Sequence, residues 1–349
     1  MSLNTPKNTS ILISRTDSIG DVILTIPLSY VLKKQFPNNK IIFLATSYTS
    51  PILQHIASID EVIEYDKIQH LSLSQQQSLF SPYNIHTSII AFPTFEITKF
   101  LYHLKIPYRI CTSHRWYAWL YANQLVSFSR KNSNLHEAQL NFKLLKPLGI
   151  TKIPTLKELQ EMYVWKSIPS LPPHLLNQLD EKKFKLILHP KSKGSAREWG
   201  IENFIQLIKN LNPFKFQIII TGTKNEAPYL NKLFNECPNV LNFVGQTSLS
   251  ELLSLINTCD ALVAASTGTL HIAAALGKLA IGLFPSIRPM DAGRWAPIGK
   301  NAMALHQNKN CNLCKHQPEN CNCIQSISPH QVIDILVKHY PLKNHSVYE

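Results

Sequence analysis

The chain reads as an α/β protein built from two doubly wound units, and three observations carry that reading. Short apolar runs alternate with amphipathic stretches from Ser10 onward. The pattern breaks in a proline-rich stretch and then restarts. The chain has 349 residues, more than one average domain.

Ser10–Ser14 (SILIS) reads as a buried strand, and Val22–Phe36 as a helix that Pro27 either bends or opens. Ile41–Ala45 (IIFLA) is a second strand. Glu61–Glu64, Ser88–Phe92 and Tyr108–Cys111 are further strands, with a helix near Phe95–Leu104. Leu135–Leu148 is amphipathic and closes a first domain over residues 1–165. Pro154, Pro169, Pro172 and Pro173 mark the linker and the entry to the second domain, residues 166–325. There Lys185–His189, Phe216–Thr221, Ala261–Ala264 and Ala280–Phe284 are strands, separated by helices over Ile201–Leu211, Asn225–Asn235, Ser248–Asn257 and Gly268–Leu276. Residues 326–349 hold a last helix, expected to pack back on the first domain. Two Rossmann-like units with parallel sheets facing each other put a ligand cleft at the carboxyl ends of both sets of strands.

Composition narrows the function. Apolar residues make up 44% of the chain, enough for packed cores, and no apolar run is long enough to span a membrane. Met1–Thr9 lacks an apolar signal core, so a cytoplasmic location is expected. The net charge of +13 is spread over both halves and favours anionic partners: nucleotides, an anionic lipid surface, or nucleic acid. No nucleic-acid-binding motif is present. There is no GxGxxG, which argues against a nicotinamide enzyme, and no Walker loop.

Three loops can carry chemistry. The first, Arg15-Thr16-Asp17-Ser18-Ile19-Gly20-Asp21, follows the first strand. Asp21 either caps the following helix or takes a proton from an acceptor hydroxyl. The second, His189 to Trp199, carries Lys191, Ser192, Lys193, Gly194 and Arg197, a composition suited to an anion at a helix start. A merely solvated basic loop is the plainer reading. The third, Ala265-Ser266-Thr267-Gly268-Thr269-Leu270-His271, offers a hydroxyl cap, a glycine and the first amides of a helix, fit for a diphosphate, with His271 one turn in. No Asp-x-Asp pair is present to hold a divalent ion on a leaving diphosphate, so cations and helix ends must neutralise it.

Four pieces in order resemble glycosyltransferase family 9, the bacterial heptosyltransferases of lipopolysaccharide core assembly. They are Arg15…Gly20-Asp21-Val22-Ile23-Leu24…Pro27; His189-Pro190…Arg197-Glu198-Trp199; Thr221-Gly222-Thr223…Glu226; and Ser266-Thr267-Gly268…His271-Ile272-Ala273-Ala274-Ala275-Leu276-Gly277. The resemblance covers about residues 10–340. It implies a GT-B fold and an inverting, metal-independent transfer with no cofactor beyond a nucleotide-sugar co-substrate, an ADP-sugar. It implies Asp21 as base and Arg197 at the diphosphate. It also implies Glu226 near the nucleoside, with Lys191, Ser192, Lys193, Thr247, Ser266, Thr267, Gly268 and His271 on the donor. Ser266 stands where many relatives carry Asp, keeping a hydrogen-bonding group without the charge.

On the acceptor side the expected residues are Arg15, Ser18, Arg109 and Arg115. The stretch Lys99–Tyr121 mixes cations with aromatics, which suits an anionic glycolipid at the inner-membrane surface or, alternatively, a core. The implied partners are the donor, that acceptor and the membrane, with no nucleic acid and a monomeric chain. A family member with another donor sugar, or one that binds nucleotide without transferring, is the other reading. Cys311, Cys314, Cys321 and Cys323 are spaced C-x2-C-x6-C-x-C, either a structural zinc site or thiols that pair only on oxidation. Cysteine-bearing tails of this kind occur in the family.

Overall fold

Ser10–Ser14 forms the first strand, β1, with all five residues buried. A continuous apolar run is what a central parallel strand needs, because helices cover both of its faces. The computed structural model describes residues 3, 5–130, 132–307, 311–317 and 321–345. It divides into two units, Met1–Ser167 and Ile168–Glu349.

In the first unit β1 is followed by β2 (Lys40–Ala45), β3 (Glu61–Glu64), β4 (Ile85–Ile90), β5 (Tyr108–Thr112) and β6 (Gln124–Val126). All pair in parallel, in the order β3-β2-β1-β4-β5-β6. The second unit holds β7 (Phe184–His189), β8 (Phe216–Ile220), β9 (Leu241–Asn242), β10 (Ala261–Ala265), β11 (Leu279–Phe284) and β12 (Ala302–His306). Their parallel order is β12-β11-β10-β7-β8-β9. Each sheet winds outward from its first strand, returns beside it and winds out the other way. This is the dinucleotide-fold order, with a crevice where the direction reverses: between β1 and β4, and between β7 and β10.

Local sequence decides the helices. Ile19–Ile23 and Ile26–Gln35 are separate helices, and Pro27 sits in the first turn of the second, where its missing N–H costs nothing. The stretch expected as one helix over Leu135–Leu148 is α-helical only over Glu137–Phe142 and then tightens to a 3-10 helix around Pro147. Pro228 has the same effect over Lys224–Leu230. The strands β6, β9 and β12 were not legible in the sequence. They are edge or near-edge strands of two to five residues with partly exposed side chains, so no buried run marks them.

The last helix, Pro329–His345, packs on the second unit. Its Val332 and Leu336 are wholly buried in the core of the second unit, and the Tyr340 ring lies 5.5 Å from Phe216 and 6.3 Å from Phe184. Each such aliphatic side chain contributes roughly 1.5–3 kcal/mol on burial.

Candidate active site

In the first unit the loop after β1 folds around one buried arginine. Arg15 is 2% exposed and donates to Asp17 through Nε (2.7 Å) and Nη2 (2.9 Å), and through Nη2 to Asp21. Asp21 accepts a second bond from Ser18 Oγ at 2.6 Å. Both carboxylate oxygens of Asp21 are therefore held by side chains, which argues against a role as helix cap alone. Arg15 Nη1 reaches across the crevice to the Ala91 carbonyl at the end of β4 (3.5 Å) and lies 3.8 Å from Glu137.

Glu137 is buried and ion-paired to Arg130 at 3.0 Å; Arg130 also donates to Ala91 O and Asn141 Oδ1. Asn141 donates to Leu24 O and Thr25 Oγ1, and Thr25 Oγ1 donates to the Asp21 carbonyl. A chain of hydrogen bonds thus ties the Asp21 helix to the Glu137 helix. Burial pushes the Asp17 carboxyl up to about 6 in spite of Arg15, with the neighbouring Asp21 charge adding to the rise.

Glu137, Asn141 and Arg130 were missed by sequence reasoning. The signal was Glu137 and Asn141 at i and i+4, which places two polar groups on the buried face that Ala138, Leu140 and Phe142 share. Arg15 and Ser18 do join Asp21, but as the groups that hold its carboxylate.

Arg109 and Arg115, taken together from the sequence, are parted by the structure. Arg109 opens β5, at the sheet edge opposite the Asp21 loop, and donates to Tyr121 O (2.7 Å) and Ile106 O while stacking over Tyr102. Those contacts tie it to its own neighbourhood, away from the Asp21 loop. Arg115 is exposed in the loop after β5, on the same sheet edge as Asp21. Next to it Trp116 is 68% and Trp119 66% exposed, with Leu120 exposed as well. The Phe95 ring lies 5.9 Å from Trp116, and Tyr117 anchors the group by donating to Pro93 O. The aromatics of this stretch are only partly core.

In the second unit the loop after β7 is clamped by Glu198, which accepts from Lys191 Nζ, from Ser192 N (3.0 Å) and from Ser192 Oγ (3.2 Å). Glu198 was read only as part of a motif. Lys193 (φ 50°) and Gly194 (φ 78°) turn the chain through the left-handed region. Lys193 bears a cost of roughly 1–2 kcal/mol there, the kind of local strain found where a loop must present groups to a ligand. Arg197 Nη1 donates to the Cys321 carbonyl at 3.3 Å.

On the other side of this crevice, Thr267 begins the helix Gly268–Ala275 with no side-chain cap; its Oγ1 pairs with Thr269 Oγ1 at 2.8 Å. Ser266 is half-buried in the turn and His271 is buried one turn in. First-turn amides left without a side-chain cap, beside a cationic loop, are the kind of groups that can bind an anion.

Two more expected residues lie at the same sheet edge. Glu226 accepts from Thr223 N (2.7 Å) and Thr223 Oγ1 (2.9 Å) in the turn after β8. Thr247 lies in the loop between β9 and the helix Leu249–Thr258. His189, hydrogen-bonded to Thr221 Oγ1 at 2.9 Å, is pushed down to about 4 by burial, so its ring is neutral near pH 7.

Among the described residues, the one group of three or more His, Cys, Asp or Glu side chains able to hold a metal is Cys311, Cys314, Cys321 and Cys323, all free thiols. No helix of the described residues is long and apolar enough to cross a membrane.

Residues 116–325 match glycosyltransferase family 9 (heptosyltransferase). The chain is 24% identical over 302 residues to lipopolysaccharide heptosyltransferase 3 of Escherichia coli, covering 81% of this chain and 83% of the relative. It is 25% identical over 322 residues to lipooligosaccharide heptosyltransferase 2 of Haemophilus ducreyi, covering 84% and 88%. Its fold is similar to that of the E. coli ADP-heptose lipopolysaccharide heptosyltransferase II, with a TM-score of 0.72 at 17% identity over 96% of this chain and 99% of that one. The two parallel six-stranded sheets are those of a GT-B glycosyltransferase.

Proposed function

The chain belongs to glycosyltransferase family 9, and from that premise we propose that it moves a heptose from ADP-heptose onto a lipopolysaccharide core acceptor with inversion and without a metal at the active site. The observation that carries the reading is the Asp21 carboxylate, held by Arg15 and Ser18 at the β1–β4 crevice. An acceptor hydroxyl gives its proton to Asp21 as its oxygen attacks the anomeric carbon from the face opposite the diphosphate. The bond from that carbon to the diphosphate oxygen breaks, and ADP leaves. The amides of the helix Gly268–Ala275, with Lys193 and Arg197, take up the growing negative charge. Glu226 and Thr247 are assigned to the nucleoside side.

Support for the acceptor comes from the exposed Arg115, Trp116, Trp119 and Leu120. Indole rings with a cation beside them partition to the headgroup region, which suits an enzyme that meets a glycolipid at the cytoplasmic face of the inner membrane. Trp116→Ala with Trp119→Ala should reduce sedimentation with anionic vesicles; retention equal to wild type would remove the membrane contact.

A second reading, a donor sugar other than heptose, is favoured by one feature, the uncharged Ser266 at a turn where the family resemblance implies Asp. The deciding experiment incubates the protein with ADP-heptose, or with other ADP-sugars, and a heptose-deficient lipopolysaccharide acceptor in the presence of EDTA. Sugar transfer from ADP-heptose supports the proposal. Transfer from another ADP-sugar alone selects the second reading, and ADP binding with no transfer from any donor leaves a nucleotide-binding protein only. A strict need for added magnesium would overturn the metal-free step.

A further inference from the structure

The cysteine cluster lies beside the donor loop, and the contacts between them say more than the spacing does. The four Sγ atoms of Cys311, Cys314, Cys321 and Cys323 lie within 4.8 Å of one another, and Cys314 Sγ is 3.1 Å from Cys321 Sγ and 3.4 Å from Cys323 Sγ. A tetrahedral tetrathiolate site with metal–sulfur bonds of about 2.3 Å has its sulfurs about 3.8 Å apart, so this group is the right size for one ion. It is too tight to enclose a four-iron cluster.

Two of the sulfurs already accept backbone N–H bonds: Cys311 Sγ from Cys314 N at 3.5 Å, and Cys323 Sγ from Ser286 N at 3.4 Å. Bonds of this kind stabilise and orient thiolates around a metal. We propose that these four cysteines bind a single tetrahedral d-block ion, zinc or iron(II), and that the ion holds Arg197 in place.

The second half of the proposal follows from what the cysteine segment touches, and it rests on the donor reading above. Cys321 O accepts from Arg197 Nη1, Gln325 O accepts from Asn203 Nδ2 at 2.8 Å, and Ile327 O accepts from the wholly buried Trp199 Nε1 at 2.8 Å. Gln307 bridges the other way: it donates from Nε2 to Ser326 O, and its carbonyl accepts from Ser286 Oγ. Residues 321–327 therefore lace the end of the β7 loop to the loop after β11.

Four of those bonds end on backbone carbonyls of residues 321–327, a stretch whose one regular element is the short 3-10 turn Cys323–Ser326. Ile324 and Ile327 anchor the end of the segment in the core, and Cys321, whose carbonyl meets Arg197, precedes that anchor. A metal joining 311, 314, 321 and 323 supplies a cross-link there, releasing thiol protons as it binds. Its effect at a distance is positional: the ion orders the carbonyl that orients the Arg197 guanidinium, which the donor diphosphate meets.

Elemental analysis of the untagged full-length chain, from cells supplied with both zinc and iron, should find close to one zinc or iron per chain. Cys314→Ser with Cys321→Ser should abolish it. If that variant fails to fold, wild-type protein stripped with a chelator and reloaded with cobalt(II) provides the check. It should give strong sulfur-to-cobalt charge-transfer absorption and tetrahedral d–d bands. A metal-free chain with no cobalt bands overturns the site.

For the coupling, calorimetry with ADP should show affinity about tenfold weaker in stripped than in zinc-loaded protein, the scale of one charged hydrogen bond lost. Arg197→Ala should abolish that difference, which a purely structural role for the metal would not predict. Equal affinities in loaded and stripped wild type overturn the coupling while the metal count stands. Failure of the loaded protein to bind ADP at all overturns the donor reading and the coupling with it.

Discussion

At the crevice between β1 and β4 the first unit gathers Asp17, Asp21 and Glu137 around Arg15 and Arg130. At the equivalent crevice between β7 and β10 the second unit presents Lys191, Lys193 and Arg197 beside helix amides that no side chain caps. The strand order is the same in both. What differs is the loop chemistry, so the shared fold supplies a place for a ligand and the loops decide its sign. The first crevice is also tied down by side-chain ion pairs. In the second, Glu198 secures Lys191 and Ser192, and Arg197 is tethered to a carbonyl of the cysteine segment.

The comparison can be broken where its two halves are given separate tasks. The largest effect is expected at Asp21. Asp21→Asn keeps the shape and removes the charge, so turnover should fall by a factor on the order of 10²–10⁴ with donor affinity little changed. Steady-state kinetics beside ADP calorimetry measures both, and near-wild-type turnover would end the assignment of the base.

The complementary change is Arg197→Ala. ADP binding should weaken by about 1.5–3 kcal/mol, the worth of a charged hydrogen bond. Unchanged affinity would mean that the basic loop is only solvated.

A smaller effect sharpens the contrast through pH. Burial holds Asp17 at about 6, and protonation there removes a negative charge beside Asp21 and frees Arg15 to pair with Asp21 alone. Both changes weaken Asp21 as a base. Turnover should therefore fall as pH is lowered through about 6. In Asp17→Asn that break should be absent. At the donor crevice His189 adds no break of its own, being held neutral down to about 4, whereas the terminal phosphate of ADP itself titrates at about 6. A break near 6 in turnover that persists in Asp17→Asn would place the titrating group elsewhere.

The sequence by itself determined the fold class and the position of each crevice loop. Both follow from local pattern: short apolar runs such as SILIS and ALVA, alternating with helical stretches, read as buried parallel strands, and a glycine-bearing polar turn after such a strand falls at the carboxyl edge of the sheet. Asp21, Arg197 and the Ser266–Gly268 turn were legible for that reason.

Only the tertiary structure decided which side chains meet. Arg15 turned inward to hold two carboxylates, Arg109 was locked at the opposite sheet edge from Arg115, and Glu137 reached a site more than a hundred residues away in sequence. The last helix found its partner in Phe184 and Phe216 of its own unit. Periodicity along a chain reports which face of an element is buried. The partner on that face is set by strand order and by which buried charges must be neutralised, and both are properties of the folded whole.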